Sequence, residues 1–173
     1  MTGDIIIRGA AECDFEGLCA LYCKSVRCNP QGFIQDLNFH GCLNAKTRMW
    51  RAAGGDMFVG YSSDALIALG GLAPESETRV ELCKLHVDPQ YQGRGIGRML
   101  TEHMISVAKS RGFSEVVLHV TATQEPAIRL YNSLGFRPQK RKIFSTPVFD
   151  RTVSFDTLYM HLPLSEQMAS AEL

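Results

Sequence analysis

Three alternating glycines, Gly93, Gly95 and Gly97, stand in the run Asp88-Pro-Gln-Tyr-Gln-Gly-Arg-Gly-Ile-Gly-Arg98. Glycine lets a backbone approach a ligand closely and present successive N–H groups to it. An apolar helical stripe starts at Ile96, directly behind these glycines, and a helix start adds partial positive charge. The combination suits a pyrophosphate, and Arg94 and Arg98 can add direct charge. Spacing excludes two nucleotide patterns. No glycine is followed by lysine, and Leu100 stands where G-x-G-x-x-G requires a third glycine after Gly95 and Gly97. The plainer alternative is a glycine turn that only caps a helix.

The surrounding elements must position this loop. Ile5-Ile6-Ile7 predicts a first strand. Phe15, Leu18, Cys19, Tyr22, Cys23 and Val26 recur at three and four, which predicts a helix over Glu12–Arg27 closed by Pro30. A second, weaker helical region runs from Phe33 to Arg51, interrupted by Gly41. The period then changes to two. Met57–Tyr61 and Ala65–Leu69 flank Ser62-Ser63-Asp64 as a hairpin, and Val80–Val87 is a further strand stopped by Asp88-Pro89. Ile96, Leu100, Met104 and Val107 mark a helix ended by Gly112. Glu115–Val120 is a continuous apolar run, as in a strand buried on both faces. Pro126 starts a helix that Gly135 ends, and residues 136–144 and 152–162 close the chain as two strands. The order predicts a mixed α/β sheet with helices on its faces.

The 173 residues are 45% hydrophobic and 21% charged, with a formal net charge of zero. That excludes a disordered chain and a global field for nucleic acid or an anionic membrane. The longest apolar stretch, Ala65–Pro74, falls short of the ~20 residues of a bilayer span. Met1–Asp4 has no basic leader, so a cytoplasmic location is expected. Cys13, Cys19, Cys23, Cys28, Cys42 and Cys83 form no C-x-x-C pair, and no metal site is expected. They are expected to be small buried hydrophobes in a reducing compartment.

Gln92-x-x-Gly95-x-Gly97, after a strand reading Glu-Leu-x-x-Leu-x-Val-x-Pro, resembles the coenzyme-A loop of the GNAT (N-acetyltransferase) superfamily. Leu118-His-Val120, Ala127-Ile-Arg-Leu-Tyr131 and Leu134-Gly-Phe136 are similar to that family's next strand and helix. The resemblance implies an acyl-CoA N-acyltransferase fold. Its sheet is mixed and mostly antiparallel, of about seven strands, with strands four and five splayed. It implies one N-acetyltransferase domain over residues 1–173. The cofactor core spans about 79–136, acceptor-side helices about 12–53, last strands about 136–162, and a short tail 163–173.

The activity implied is acetyl transfer from acetyl-CoA, as co-substrate, to a primary amine of a small molecule or peptide by direct attack. Leu85, His86 and Val87 would pair with the pantetheine arm. Gln92, Gly93, Arg94, Gly95, Ile96, Gly97 and Arg98 would hold the pyrophosphate. Ala127 and Gln124 would add contacts, with Gln124 standing where the family often has Asn. A CoA-binding module without catalysis and another nucleotide-binding domain are the alternatives. Homodimers are frequent in the family.

Attack on a thioester needs a neutral amine and a leaving group that can depart, and an amine such as lysine has a pKa near ~10.4. By resemblance Tyr131 is the candidate acid and Glu81 the candidate base, directly or through water. A core aromatic is the alternative for Tyr131, and for Glu81 a solvent-side pair with Arg79 or Lys84. Cys83 on the same strand is expected to pack rather than react. His86 and His119 are expected to be structural, though either could reach an acceptor. Residues 137–142 are basic but read as a solvated strand edge. Residues 29–33 and 145–151 would shape the acceptor side, with Phe33, Phe39 and Trp50 as an apolar wall. Asp36 or Asp150 could attract a cationic amine.

Overall fold

A computed structural model describes residues 4–164. β1 (Ile5–Gly9) precedes α1 (Phe15–Arg27) and α2 (Leu43–Ala52). Next come β2 (Asp56–Ser62), β3 (Ala65–Pro74), β4 (Arg79–Val87), α3 (Ile96–Ser110) and β5 (Glu115–Thr121). α4 (Glu125–Ser133), β6 (Arg137–Val148) and β7 (Arg151–Pro163) complete the fold. The seven strands form one sheet in the order β1-β2-β3-β4-β5-β7-β6. Only β4 and β5 run parallel; the other neighbours are antiparallel. This is the mixed, mostly antiparallel sheet that the resemblance implies. No helix among the described residues is long and apolar enough to cross a membrane.

Strand alternation builds a core on each face. Phe58 of β2 points to one side, where Leu100, Met104 and Ala108 of α3 meet Val116, Leu118 and Val120 of β5. Met57 and Val59 point to the other, against Leu18 and Leu21 of α1 and Trp50 of α2. Helices can close on both faces because β3 has no side chains at one point. A Cβ on Gly70 would lie 2.7 Å from Met104 Cε, and one on Gly71 2.8 Å from Trp50 Cζ3.

Opposite this glycine pair, β4 is bulged. Leu69 pairs with His86 and Gly71 with Cys83, so Lys84 and Leu85 together face Gly70. Lys84 takes the left-handed conformation, at φ 56. Such a bulge bends its strand and frees ladder groups. β4 and β5 pair only from Arg79 to Glu81 against Glu115 to Val117. Beyond Glu81 the two strands part, as the resemblance implies for strands four and five.

Several boundaries differ from the sequence reading. Residues 33–41 are not α-helical. Asp36 instead caps a short 3-10 turn, Leu37–His40, by accepting from Asn38 N–H, and Gly41 at φ 70 breaks the chain before α2. β6 and β7 extend past the predicted 136–144 and 152–162 to a tight turn at Phe149-Asp150. The expected tail starts within β7, since that strand ends at Pro163, and residues 165–173 lie outside the described residues. Cys19, Cys23 and Cys83 are half-buried as residues, with the Cys83 thiol turned inward, and Cys13, Cys28 and Cys42 are exposed because they sit at helix or turn ends. All six are free thiols.

His86 locks α1 to β4. It is 5% exposed, its Nδ1 lies 2.9 Å from Ser25 Oγ, and the Tyr22 and Phe33 rings flank it. Burial, helped by the neighbouring Lys84, pushes its pKa down to about 3. The unfolded ring titrates near ~6.5, so the stability tied to its neutral form is complete above that pH and drains away below it. From pH 7 to pH 5 this group alone should cost about 2 kcal/mol of unfolding free energy. Urea midpoints at the two pH values should show this loss, and His86→Gln should flatten it; an equal loss in the variant would reject the assignment. Gly71→Ala should destabilise by about 1–3 kcal/mol through overpacking against Trp50. An unchanged midpoint would mean that the Trp50 ring yields freely.

Candidate active site

β4 leads into the glycine loop at Val87. Asp88 turns the chain by accepting from Gln90 N–H at 3.0 Å, and its other oxygen takes Lys24 Nζ of α1 at 2.8 Å. Gln92 Nε2 donates to Val87 O at 3.1 Å, which folds the loop back on the strand end. Gly93 and Gly95 adopt φ of 74 and 79, and nothing lies within 4 Å of a Cβ built on either. Their backbone sign, not crowding, demands glycine, and open space lies over them. The first bond of α3 runs from Met99 N–H to Gly95 O. Ahead of it, the N–H groups of Gln92 to Arg98 find no acceptor among the described residues. Unsatisfied N–H groups at a helix start are what a pyrophosphate requires. The expected arginines are partly engaged. Arg94 lies 5.0 Å from the Tyr91 ring and donates to Gln90 O. Arg98 bonds Ser133 of α4 and Glu102.

A cleft of about 610 Å³ opens where β4 and β5 part. Of the predicted residues, Glu81, Leu85, His86, Gln124, Ala127 and Tyr131 line it. Val87 and the loop from Gln92 to Arg98 lie outside it. Glu81 is the last paired residue of β4, and His119 stands two residues beyond its partner Val117 on β5. Glu81 Oε1 accepts a hydrogen bond from His119 Nδ1 at 2.8 Å, across the fork of the strands. So Glu81 pairs neither with Arg79 nor with Lys84, as the sequence alternative has it; Arg79 faces Glu75 and Glu115. The carboxylate raises the His119 pKa.

Tyr131 of α4 is 6% exposed, stacks edge-on with Phe136 at 5.7 Å, and turns into the same cleft. Burial raises its phenol pKa, so the hydroxyl stays protonated and able to donate. Burial, and then Glu81, likewise hold the Cys83 thiol protonated. A protonated thiol is a poor nucleophile, which fits packing rather than reaction.

The acceptor side departs from the sequence reading. Phe33, Phe39 and Trp50 do line the cleft, but residues 145–151 do not, and Phe144 and Phe155 of the last hairpin stand there instead. Asp36 and Asp150 also lie outside it. The polar lining also includes four groups to which the sequence reading gave no role in the site: Tyr22, His40, Lys46 and Lys84. Nothing local singles out Lys84, since its strand also carries Arg79, Glu81 and His86. Among the described residues no cluster of His, Cys, Asp and Glu could hold a metal.

Comparisons with known proteins agree with this geometry. The sequence profile of the "Acetyltransferase (GNAT) family" matches residues 22–136. The chain is similar to human N-acetyltransferase 8B, 32% identical over 120 residues covering 65% of this chain and 52% of that protein. It is also similar to the [ribosomal protein bS18]-alanine N-acetyltransferase of Salmonella typhimurium, 40% identical over 86 residues covering 49% and 55%. The chain thus spans about half the length of the relatives it matches. In structure it superposes on a putative acetyltransferase of Salmonella typhimurium, yncA, solved with acetyl-CoA. The TM-score there is 0.78 at 22% identity, covering 99% of this chain and all of the other. With the profile covering most of the chain and the same sheet, fork and glycine loop in place, this protein belongs to the GNAT acetyltransferase family.

Proposed function

We propose that the chain transfers an acetyl group from acetyl-CoA to a primary amine of a small molecule or peptide. The observation that carries this reading is the fork of β4 and β5. It places Glu81 and Tyr131 on one cleft and runs, along β4, into a loop of unpartnered N–H groups. Gln92 to Arg98 suit the pyrophosphate of the donor. The freed backbone of Leu85, His86 and Val87 suits the amides of its arm, and Gln124 and Ala127 flank that path at the start of α4.

The reaction joins the amine nitrogen to the acyl carbon and breaks the carbon–sulfur bond. The proton lost by the amine goes to the Glu81–His119 pair, directly or through water. The Tyr131 hydroxyl, held protonated by burial, donates to the departing sulfur. Neither step needs a covalent enzyme intermediate, consistent with a Cys83 thiol that burial keeps protonated.

Isothermal titration with CoA and release of CoA thiol over an amine panel test the reading together; binding without release for any amine would favour a non-catalytic module. Tyr131→Phe should lower kcat about 100-fold while the Kd for CoA stays within about twofold. An unchanged kcat would remove Tyr131 from the chemistry. His119 must be neutral to accept a proton, and Glu81 raises its pKa. Activity should therefore fall as the pH drops through a value above the ordinary ~6.5. In Glu81→Gln the acidic limb of kcat/KM should move down towards that value and the plateau should fall. A limb that does not move would refute the pair.

A further inference from the structure

The floor of the cleft carries two lysines, Lys84 and Lys46, that form no ion pair among the described residues. Lys84 Nζ donates to the Tyr22 hydroxyl at 2.9 Å and stands 5.0 Å from the centre of that ring. His40 Nε2 lies 2.7 Å from Ile34 O, so this nitrogen carries the ring proton and His40 Nδ1 accepts. Tyr22 therefore donates to His40 Nδ1, at 2.9 Å. The hydrogen bonds run one way, from the ammonium through phenol and imidazole to a backbone carbonyl, and no anion ends them. Lys46 of α2 reaches the same floor over Gly41, where a Cβ would lie 3.6 Å from its Nζ. Among the described residues neither lysine has a carboxylate partner. The one carboxylate lining the cleft, Glu81, is bonded to His119.

An ammonium taken from water without a counter-ion is costly. Burial, and then Lys46, lower the Lys84 pKa, so the cost is felt at this site. Lys84 also occupies the left-handed conformation that disfavours side chains, at the bulge that aims it into the cleft. A bound anion removes the imbalance. The same cleft is lined by the apolar rings of Phe33, Phe39, Trp50, Phe144 and Phe155.

We infer that the acceptor is an amine bearing a carboxylate and an apolar side chain, and that Lys84 and Lys46 bind the carboxylate. This rests on the proposed acetyl transfer and adds the substrate class. The same cations suit the chemistry. Positive neighbours depress the pKa of a bound amine and raise its neutral, attacking fraction. A polyamine would bring further positive charge to a floor that already has it.

The test uses a product-like probe, so that it does not depend on turnover. With CoA present, N-acetylphenylalanine should bind the wild-type chain at least tenfold tighter than N-acetylphenylalanine amide by calorimetry. Lys84→Met and Lys46→Met should each weaken binding of the acid at least tenfold. Both should leave the amide and CoA affinities in place, which shows that the variants are folded. The two lysines lie on different elements, so one unfolded variant leaves the other to report. Equal binding of acid and amide, or binding of neither, overturns the inference. Steady-state turnover separates the two readings. Acetylation of phenylalanine amide or spermine without preference for the free acid leaves acetyl transfer standing and overturns the carboxylate site. Acid-selective binding with no turnover of any amine keeps the carboxylate site and overturns the transfer.

Discussion

A parallel strand pair normally continues until one strand ends, because each broken ladder leaves N–H and C=O groups that water or a partner must satisfy. β4 and β5 abandon each other after Glu81, with both strands still running. The departure is built in by the bulge at Lys84 and Leu85, which bends β4 away. The free edges become the walls of a cleft, Glu81 marks the fork, and β4 delivers the chain to the glycine loop. The bent strand is held by close packing. Gly70 and Gly71 let Met104 and Trp50 approach the neighbouring strand from both faces at the height of the bulge.

Charge is partitioned along this one strand. The chain is neutral overall, so no long-range field concentrates an anionic donor. Attraction has to be local, and three local devices follow each other along β4. At the fork is the Glu81–His119 pair, able to hold a proton. At the bulge is an ammonium set against Tyr22. Past the strand end are unpartnered N–H groups at the start of α3. Their separation along β4 keeps the carboxylate, the ammonium and the N–H groups from cancelling one another. Glu81 gives its Oε1 to His119 and, among the described residues, makes no ion pair with Lys84.

Much of this was legible in the sequence where local rules decide. The hairpin at Ser63-Asp64, the helix ends before Gly112 and Gly135, and the glycine loop each follow from backbone preferences of a few residues. The fork itself came from resemblance rather than from spacing. What was not legible depends on tertiary position. Residues 33–41 have apolar spacing enough for a helix, but Ile34 and His40 are drawn into the cleft floor, with His40 pinned to Ile34 O. The cysteines looked like core residues by type, yet half of them stand at element ends where solvent reaches. Glu81 has two cations near it in sequence, and its partner comes from β5, thirty-eight residues on. Asp36 spends its carboxylate on a local cap, which sequence alone could not separate from a ligand contact.

The segment of β4 that leaves β5 gains a different partner, and this fixes the distance between the two ends of the site. Along α1, Tyr22 meets Lys84, Ser25 meets His86, and Lys24 meets Asp88. Every second residue from the bulge to the loop is thus bonded to one helix. α1 is itself anchored at its start, where Asp14 takes Arg8 of β1, the N–H of Ala11 and the hydroxyl of Tyr61 of β2. The Arg8 guanidinium, above all, holds the Asp14 carboxyl far below the ordinary range. A rigid helix bonded at one end to the sheet edge and along its length to the bent strand leaves neither the cation floor nor the glycine loop free to drift. The geometry of the cleft then depends on one helix; for the proposed acetyl transfer, substitutions on α1 that touch neither ligand should change how donor and acceptor meet rather than how tightly either binds alone.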